Sequence, residues 1–413
     1  MSLRFAMILT CLLTLVLGCQ PQTPEEPEAA GGESLPNGLL LGLAVLETGP
    51  EGPVPQPARL GMLVKTDGQW RWHELEDPDS NVFHKAMVYP GGDGNAILTA
   101  GGTTAMLKLW RAGAEPEVVW QADFGGKWSR MRDVEVADLG GDGSLDIVVA
   151  THDQGVVAVA SPTAEGGFEV TELDRQANTI VHEVEVGDLD GDGILEIYAT
   201  PSLPNKLDGT PQPGSVVRYT PALDEGRTVV ADLGDRHAKE ILVADVDGDG
   251  TDELYVANEA VAGEGRLEVL RYDADTPADA GVVVATIDDA MGRFLTAGDI
   301  DGDGRQEMAL AANKSGLWLL EPGVDPSAQW TVTSIDRASS GFEHAAILTD
   351  LDEDGTDELY VANDDAGEVN RYVFTDGRFD KEVLYTHEDG LSGFTWNIMP
   401  VPVDLVEGLV ATE

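Results

Sequence analysis

Cysteine is nearly absent: the only two in 413 residues are Cys11 and Cys19, so whatever folds beyond residue 20 has no disulfide. Positive charge is scarce as well. With 25 Lys and Arg against 75 Asp and Glu the formal charge is −50, which excludes a grip on a nucleic-acid backbone. No apolar run is long enough for a permanent membrane-spanning helix, and no 3.6-residue pattern marks an amphipathic one. What is present is a folding composition: 42% of residues are hydrophobic, and 48 glycines punctuate short β-rich runs. The charge therefore belongs to a folded surface and not to a disordered chain.

The N-terminus carries Arg4, an apolar stretch over 5–17 and the sequence Val16-Leu17-Gly18-Cys19. Thirteen apolar-dominated residues suit the h-region of a secretory signal. The small residue before Cys19 resembles a bacterial lipobox, which implies that 1–18 is a cleaved lipoprotein signal peptide and that Cys19 is lipidated. Gln20 follows it where an aspartate favours inner-membrane retention in some bacteria, so the expected location is the cell envelope, anchored in the outer membrane. After the cysteine, 19–37 is rich in Pro, Glu and Gly and reads as an acidic tether. The folded part is 38–413.

One acidic segment recurs five times: DLGGDGSLD (138–146), DLDGDGILE (188–196), DVDGDGTDE (245–253), DIDGDGRQE (299–307) and DLDEDGTDE (350–358). A degenerate copy, YPGGDGNAI (89–97), precedes them, and the match of Gly393-Phe394 to Gly341-Phe342 places a seventh near Pro402. Around each loop run four short β-type segments, such as ELYVAN and GEVNRYVF, with Gly, Asp and Asn at the turns. Four strands per period of roughly 50 residues is the pattern of a propeller blade, so the expected fold is an all-β, seven-bladed β-propeller. The closing blade is expected to combine both termini, ARLGMLVKTDGQWRWHEL from one end and GFTWNIMPVPVDL from the other. For its second strand, 39–46 and the terminal GLVAT remain alternatives.

In D-x-D-x-D-G-x-x-E, the side chains at positions 1, 3, 5 and 9 converge on one ion, with a sharp turn at the glycine. The expected ligand sets are Asp188, Asp190, Asp192 and Glu196; Asp245, Asp247, Asp249 and Glu253; Asp299, Asp301, Asp303 and Glu307; and Asp350, Asp352, Asp354 and Glu358. Gly140 replaces one acid in the first loop, leaving Asp138, Asp142 and Asp146 as the weakest of about five sites. Carboxylates without His or Cys select a hard cation, here Ca²⁺. The closing acid comes at position 9 instead of 12 and the flanks are strands, so these are not EF-hands. The loops resemble the FG-GAP or VCBS repeats of integrin alpha-subunit heads and bacterial exported proteins. That resemblance implies a calcium-stabilised, mostly seven-bladed propeller, with functions ranging over adhesion, sugar binding and polysaccharide lyase activity.

Six residues before each loop, where the first strand begins, stand Arg132, His182, Lys239, Arg293, His344 and Trp396. Thr151, His152, Thr200, Asn258, Asn313 and Asn363 end the second strands on the same face, opposite the calcium loops. This face is the expected site for a protein or glycan ligand. The neighbouring acids Asp133, Glu183 and Glu240 are expected to alternate away from it; the competing reading is that they pair with the basic register. No metalloprotease or hydrolase motif is present, and no catalytic residue is assigned. A binding or adhesion module is therefore favoured over a lyase-like enzyme using the basic register and over a non-catalytic scaffold subunit of an envelope complex.

Overall fold

The computed structural model describes residues 34–411, except 51, 93, 103, 126–128, 153, 204–209, 261–264 and 388–392. The signal sequence, Cys19 and nearly all of the tether lie outside the described residues.

Seven antiparallel sheets form the blades of a propeller. Their inner strands, Phe83–Tyr89, Met131–Ala137, Ile180–Gly187, His237–Ala244, Gly292–Gly298, Ala346–Thr349 and Gly393–Pro402, touch one another in a closed ring around the axis. In six blades the four strands follow chain order from the axis outwards. Second strands such as Ala96–Gly101 and Glu253–Glu259 are buried at every position, because a blade has a neighbour on each face. Outer strands such as Glu117–Ala122 are only partly covered.

In the seventh sheet Gly393–Pro402 pairs with Asn37–Gly49, which pairs with Ala58–Thr66 and then Gln69–Asp77. Asn37–Gly49 is thus the second strand. The alternative segment GLVAT falls largely in the helix Val403–Val410, whose Leu405, Val406 and Leu409 pack into the apolar layer between the seventh and first blades.

Seven apolar clusters occupy the seven blade junctions. Truncating one of their fully buried leucines, Leu310 for example, would cost about 2–5 kcal/mol. Polar side chains join the same junctions near the axis. The Val184 amide donates to Asp133 Oδ2 (2.9 Å), the Ile241 amide to Glu183 Oε2 (2.6 Å), the Leu348 amide to Thr296 Oγ1 (3.1 Å) and the Ala86 amide to Asn397 Oδ1 (3.1 Å).

The acidic loops join first strands to second strands and so share one face of the disk. Two of them are tied to the next blade through a backbone amide. The Asp188 amide donates to Asp252 Oδ2 (2.9 Å) and the Asp299 amide to Asp357 Oδ2 (2.8 Å). Both contacts need a glycine immediately before the loop: a Cβ on Gly187 would lie 2.8 Å from Asp252 Oδ2, and one on Gly298 would lie 2.6 Å from Asp357 Oδ2. Gly298→Ala should therefore break the second tie and lower unfolding stability by about 1–3 kcal/mol. Denaturant titration checks this, and a midpoint equal to that of the parent would refute the tie.

Candidate functional site

Each loop is shaped by its first aspartate. In the loop at 188 its carboxylate accepts from the Asp192 amide (3.1 Å) and the Gly193 amide (2.7 Å), and the same pair of bonds recurs in the other four. The fifth position in turn accepts from the seventh amide, as in Ile194 to Asp192 (2.8 Å). Positions four and six take positive φ, which explains the glycines; Glu353 adopts +60° at position four without one.

This fold brings ligand atoms of Asp188, Asp190 and Asp192, of Asp299, Asp301 and Asp303, and of Asp350, Asp352 and Asp354 within 4.8 Å of one another. Around the loop at 245 Glu253 joins Asp245, Asp247 and Asp249. Three converging carboxylates at a glycine turn suit an oxygen-liganded divalent ion of calcium size. Among the described residues Asp138, Asp142 and Asp146 form no such group, in keeping with Gly140 in that loop. The closing acids Asp146, Glu196, Glu307 and Glu358 do not join the triplets. They are buried, and Asp146, Glu196 and Glu307 accept from the loop amides of Leu139, Leu189 and Ile300. Glu196, Glu253 and Glu358 also accept a tyrosine hydroxyl, from Tyr198, Tyr255 and Tyr360, at 2.7, 2.8 and 2.9 Å.

On the opposite face the inner strands begin with irregularities. Ladder pairing skips His84, Arg132, His182 with Glu183, Lys239 with Glu240, Arg293, and Trp396. A bulge re-aims the side chain it carries, and here every blade but one uses it to turn a polar or aromatic group towards the axis. The bulges also break the alternation expected of the neighbouring acids. Asp133, Glu183 and Glu240 line the same small cavity, about 50 Å³, as His84, Arg132, His182 and Trp396.

The predicted register residues separate into three groups. Arg132 donates to His84 Nδ1 (2.7 Å) and lies 5.0 Å from the Trp396 ring, which meets His84 edge-on at 4.5 Å; His182 stands on the same wall and contacts Ser202 Oγ (3.1 Å). Lys239 and Arg293 flank Phe342, with Arg293 held between Glu343 and Glu259. His344 is not part of the mouth: its Nδ1 donates to the Ala312 carbonyl (2.8 Å), its Nε2 accepts from Ser339 (2.7 Å), and it is fully buried. Thr151, Thr200 and Asn363 accept from nearby backbone amides, Asn313 donates to the Gly341 carbonyl, and Asn258 Oδ1 has no partner among the described residues.

Electrostatically the mouth differs from a ring of cations. Burial and the Arg132 charge hold His84 well below the usual imidazole range, and burial with the Lys239 charge does the same to His182. Both rings are neutral at pH 7. Burial and the Arg293 charge push Lys239 down to about 8. Burial and the Glu240 charge raise Glu183, and burial with the Glu135 charge raises Glu185, well above the carboxylate range.

A sequence model of the FG-GAP-like repeat matches residues 138–199 and 245–310. The chain carries FG-GAP-like repeats. The periplasmic gluconolactonase of Pseudomonas aeruginosa is similar in fold, with 14% identity, a TM-score of 0.54 and coverage of 89% of this chain and 99% of that one. A protein from Lactobacillus plantarum is similar at 12% identity, TM-score 0.55, covering 89% and 100%. At such identities the likeness is one of fold. Among curated proteins none matches.

In this propeller His84 escapes sequence reasoning. Its repeat is degenerate, and alignment through GGDG puts Phe83 in the register; only the bulge brings His84 to the mouth. If the Asp triplets hold calcium, chelation should lower the melting temperature by about 5 °C, the effect of losing ions bound well above their dissociation constants. Calorimetry with and without EDTA measures this, and superimposable melts would remove the structural role of the ion.

Proposed function

We propose that the chain is a lipid-anchored, calcium-stabilised binding module of the cell envelope whose channel mouth receives a carboxylate carried by a protein or glycan. The observation that carries this reading is a wall of unused donors. His84 Nε2, Arg132 Nε and Trp396 Nε1 are buried N–H groups, all three lining the mouth cavity, without a hydrogen-bond partner among the described residues. Because His84 Nδ1 accepts from Arg132, its Nε2 bears the proton and can only donate. Leaving each donor empty costs about 1–3 kcal/mol, so oxygen atoms from water or a ligand are needed there. A carboxylate offers several lone pairs to such a set, and Lys239 adds positive charge nearby, whereas Arg293 is already held by Glu343 and Glu259.

The rest of the surface restricts what can deliver that carboxylate. A chain of formal charge −50 repels polyanions at range, so the fitting ligand presents one acidic group on an otherwise neutral body. The expected lipidation of Cys19 and the acidic tether would hold this mouth near the membrane. Among the described residues no helix is long and apolar enough to cross a membrane.

The test is an array of neutral oligosaccharides and peptides, each with or without one terminal carboxylate, probed in the presence of calcium. Binding should require the carboxylate, weaken about tenfold or more in Arg132→Gln without a change in melting temperature, and decline as the pH rises through about 8, where Lys239 loses its charge. Binding that ignores the carboxylate, or that Arg132→Gln leaves intact, would sink the proposal. Turnover of an acidic sugar, read by ultraviolet absorbance, would favour a lyase instead.

A further inference from the structure

The five acidic loops are not chemically equivalent, and the difference lies outside the repeat motif. In three blades an arginine on the third strand stands opposite the tyrosine that follows the closing glutamate: Arg218 opposite Tyr198, Arg271 opposite Tyr255, Arg371 opposite Tyr360. From there each guanidinium reaches back into its own loop. Arg271 lies 2.9 Å from Asp247 and 3.3 Å from Glu253, Arg218 lies 3.8 Å from Asp190 and 3.1 Å from Glu196, and Arg371 lies 3.4 Å from Asp352 and pairs with Glu358. The loop at 299 has Ala309 and Leu319 at the two equivalent places, and the loop at 138 has Val148 and Val159.

We infer that these arginines are resident counter-cations that weaken calcium at the loops beginning at Asp188, Asp245 and Asp350, leaving the loop at Asp299 as the one high-affinity calcium site. The inference rests on the calcium reading above and sorts its sites by affinity. A calcium ion must approach its carboxylate oxygens to 2.3–2.6 Å, on the order of an oxygen diameter. The Arg271 guanidinium stands 2.9 Å from Asp247 and 3.3 Å from Glu253, and its charge opposes that of an incoming ion. It is also hard to displace, since the Arg271 side chain is only 7% exposed. The loop at 299 does have a cation, Arg305, 2.8 Å from Asp303, but that side chain is 68% exposed and free to swing into solvent, where it exerts little effect. Asp299, Asp301 and Asp303 meanwhile converge as closely as the other triplets.

The experiment is calorimetric titration of the full chain, freed of calcium by chelation, with CaCl₂. The expected isotherm has one tight site, with a dissociation constant about tenfold or more below the rest. Asp301→Asn with Asp303→Asn should erase that tight phase while leaving the arginine-bearing loops untouched. Arg271→Leu should raise the number of tight ions from one to two and make the melting temperature more sensitive to EDTA. Four sites of equal affinity, or a tight phase that survives D301N/D303N, would overturn the inference even if Arg271→Leu fails to fold without calcium. Absence of any calcium binding would overturn both this inference and the calcium reading, whereas four equal sites would leave the calcium reading standing.

Discussion

Each blade of this propeller is apolar on both faces, and each face can be buried only against another blade. Everything else in the molecule answers that condition. The seven apolar clusters lie between blades and none within a single one, so stability belongs to the ring. Because the inner strands crowd together at the axis, several polar groups there find partners across a junction. Asp133 and Glu183 each serve a backbone amide of the following blade, and Lys85 is buried between Asp133 and Glu135.

The two faces of the disk solve opposite electrostatic problems. On the loop face carboxylates converge; an arginine of the third strand lies beside them in three blades, and in the loop at 299 that place is taken by Leu319. On the other face, bulges gather N–H donors that have no hydrogen-bond partner among the described residues. A repeat with one backbone plan thus carries two chemistries because its connecting loops and its strand starts lie at opposite ends of the inner strands.

The repeat, the strand count and the aspartate triplets are legible in the sequence because they depend on local pattern: D-x-D-x-D-G encodes its own turn, and a fully buried strand such as ELYVAN encodes two covered faces. The blade-to-blade tie is legible afterwards, since glycine precedes the loop at Gly187 and Gly298, where the next repeat supplies Asp252 and Asp357. The arginines are harder to see. Arg218, Arg271 and Arg371 follow their tyrosines at different distances along the chain, because the hairpins between second and third strands differ in length, and only strand pairing aligns them. The mouth was partly legible. The register named Arg132, His182 and Trp396, which line the cavity, and Lys239 and Arg293, which flank Phe342; it also took in His344, which is closed onto Ala312 and Ser339, and it passed over His84.

The seventh sheet has a mechanical consequence. Asn37–Gly49 is bonded along one edge to Gly393–Pro402 and along the other to Ala58–Thr66, both antiparallel. A pull applied at residue 34 along this strand loads two ladders at once and in shear, so many hydrogen bonds must fail together instead of one after another. Traction from the N-terminal side therefore meets the part of the ring where the backbone is doubly clamped.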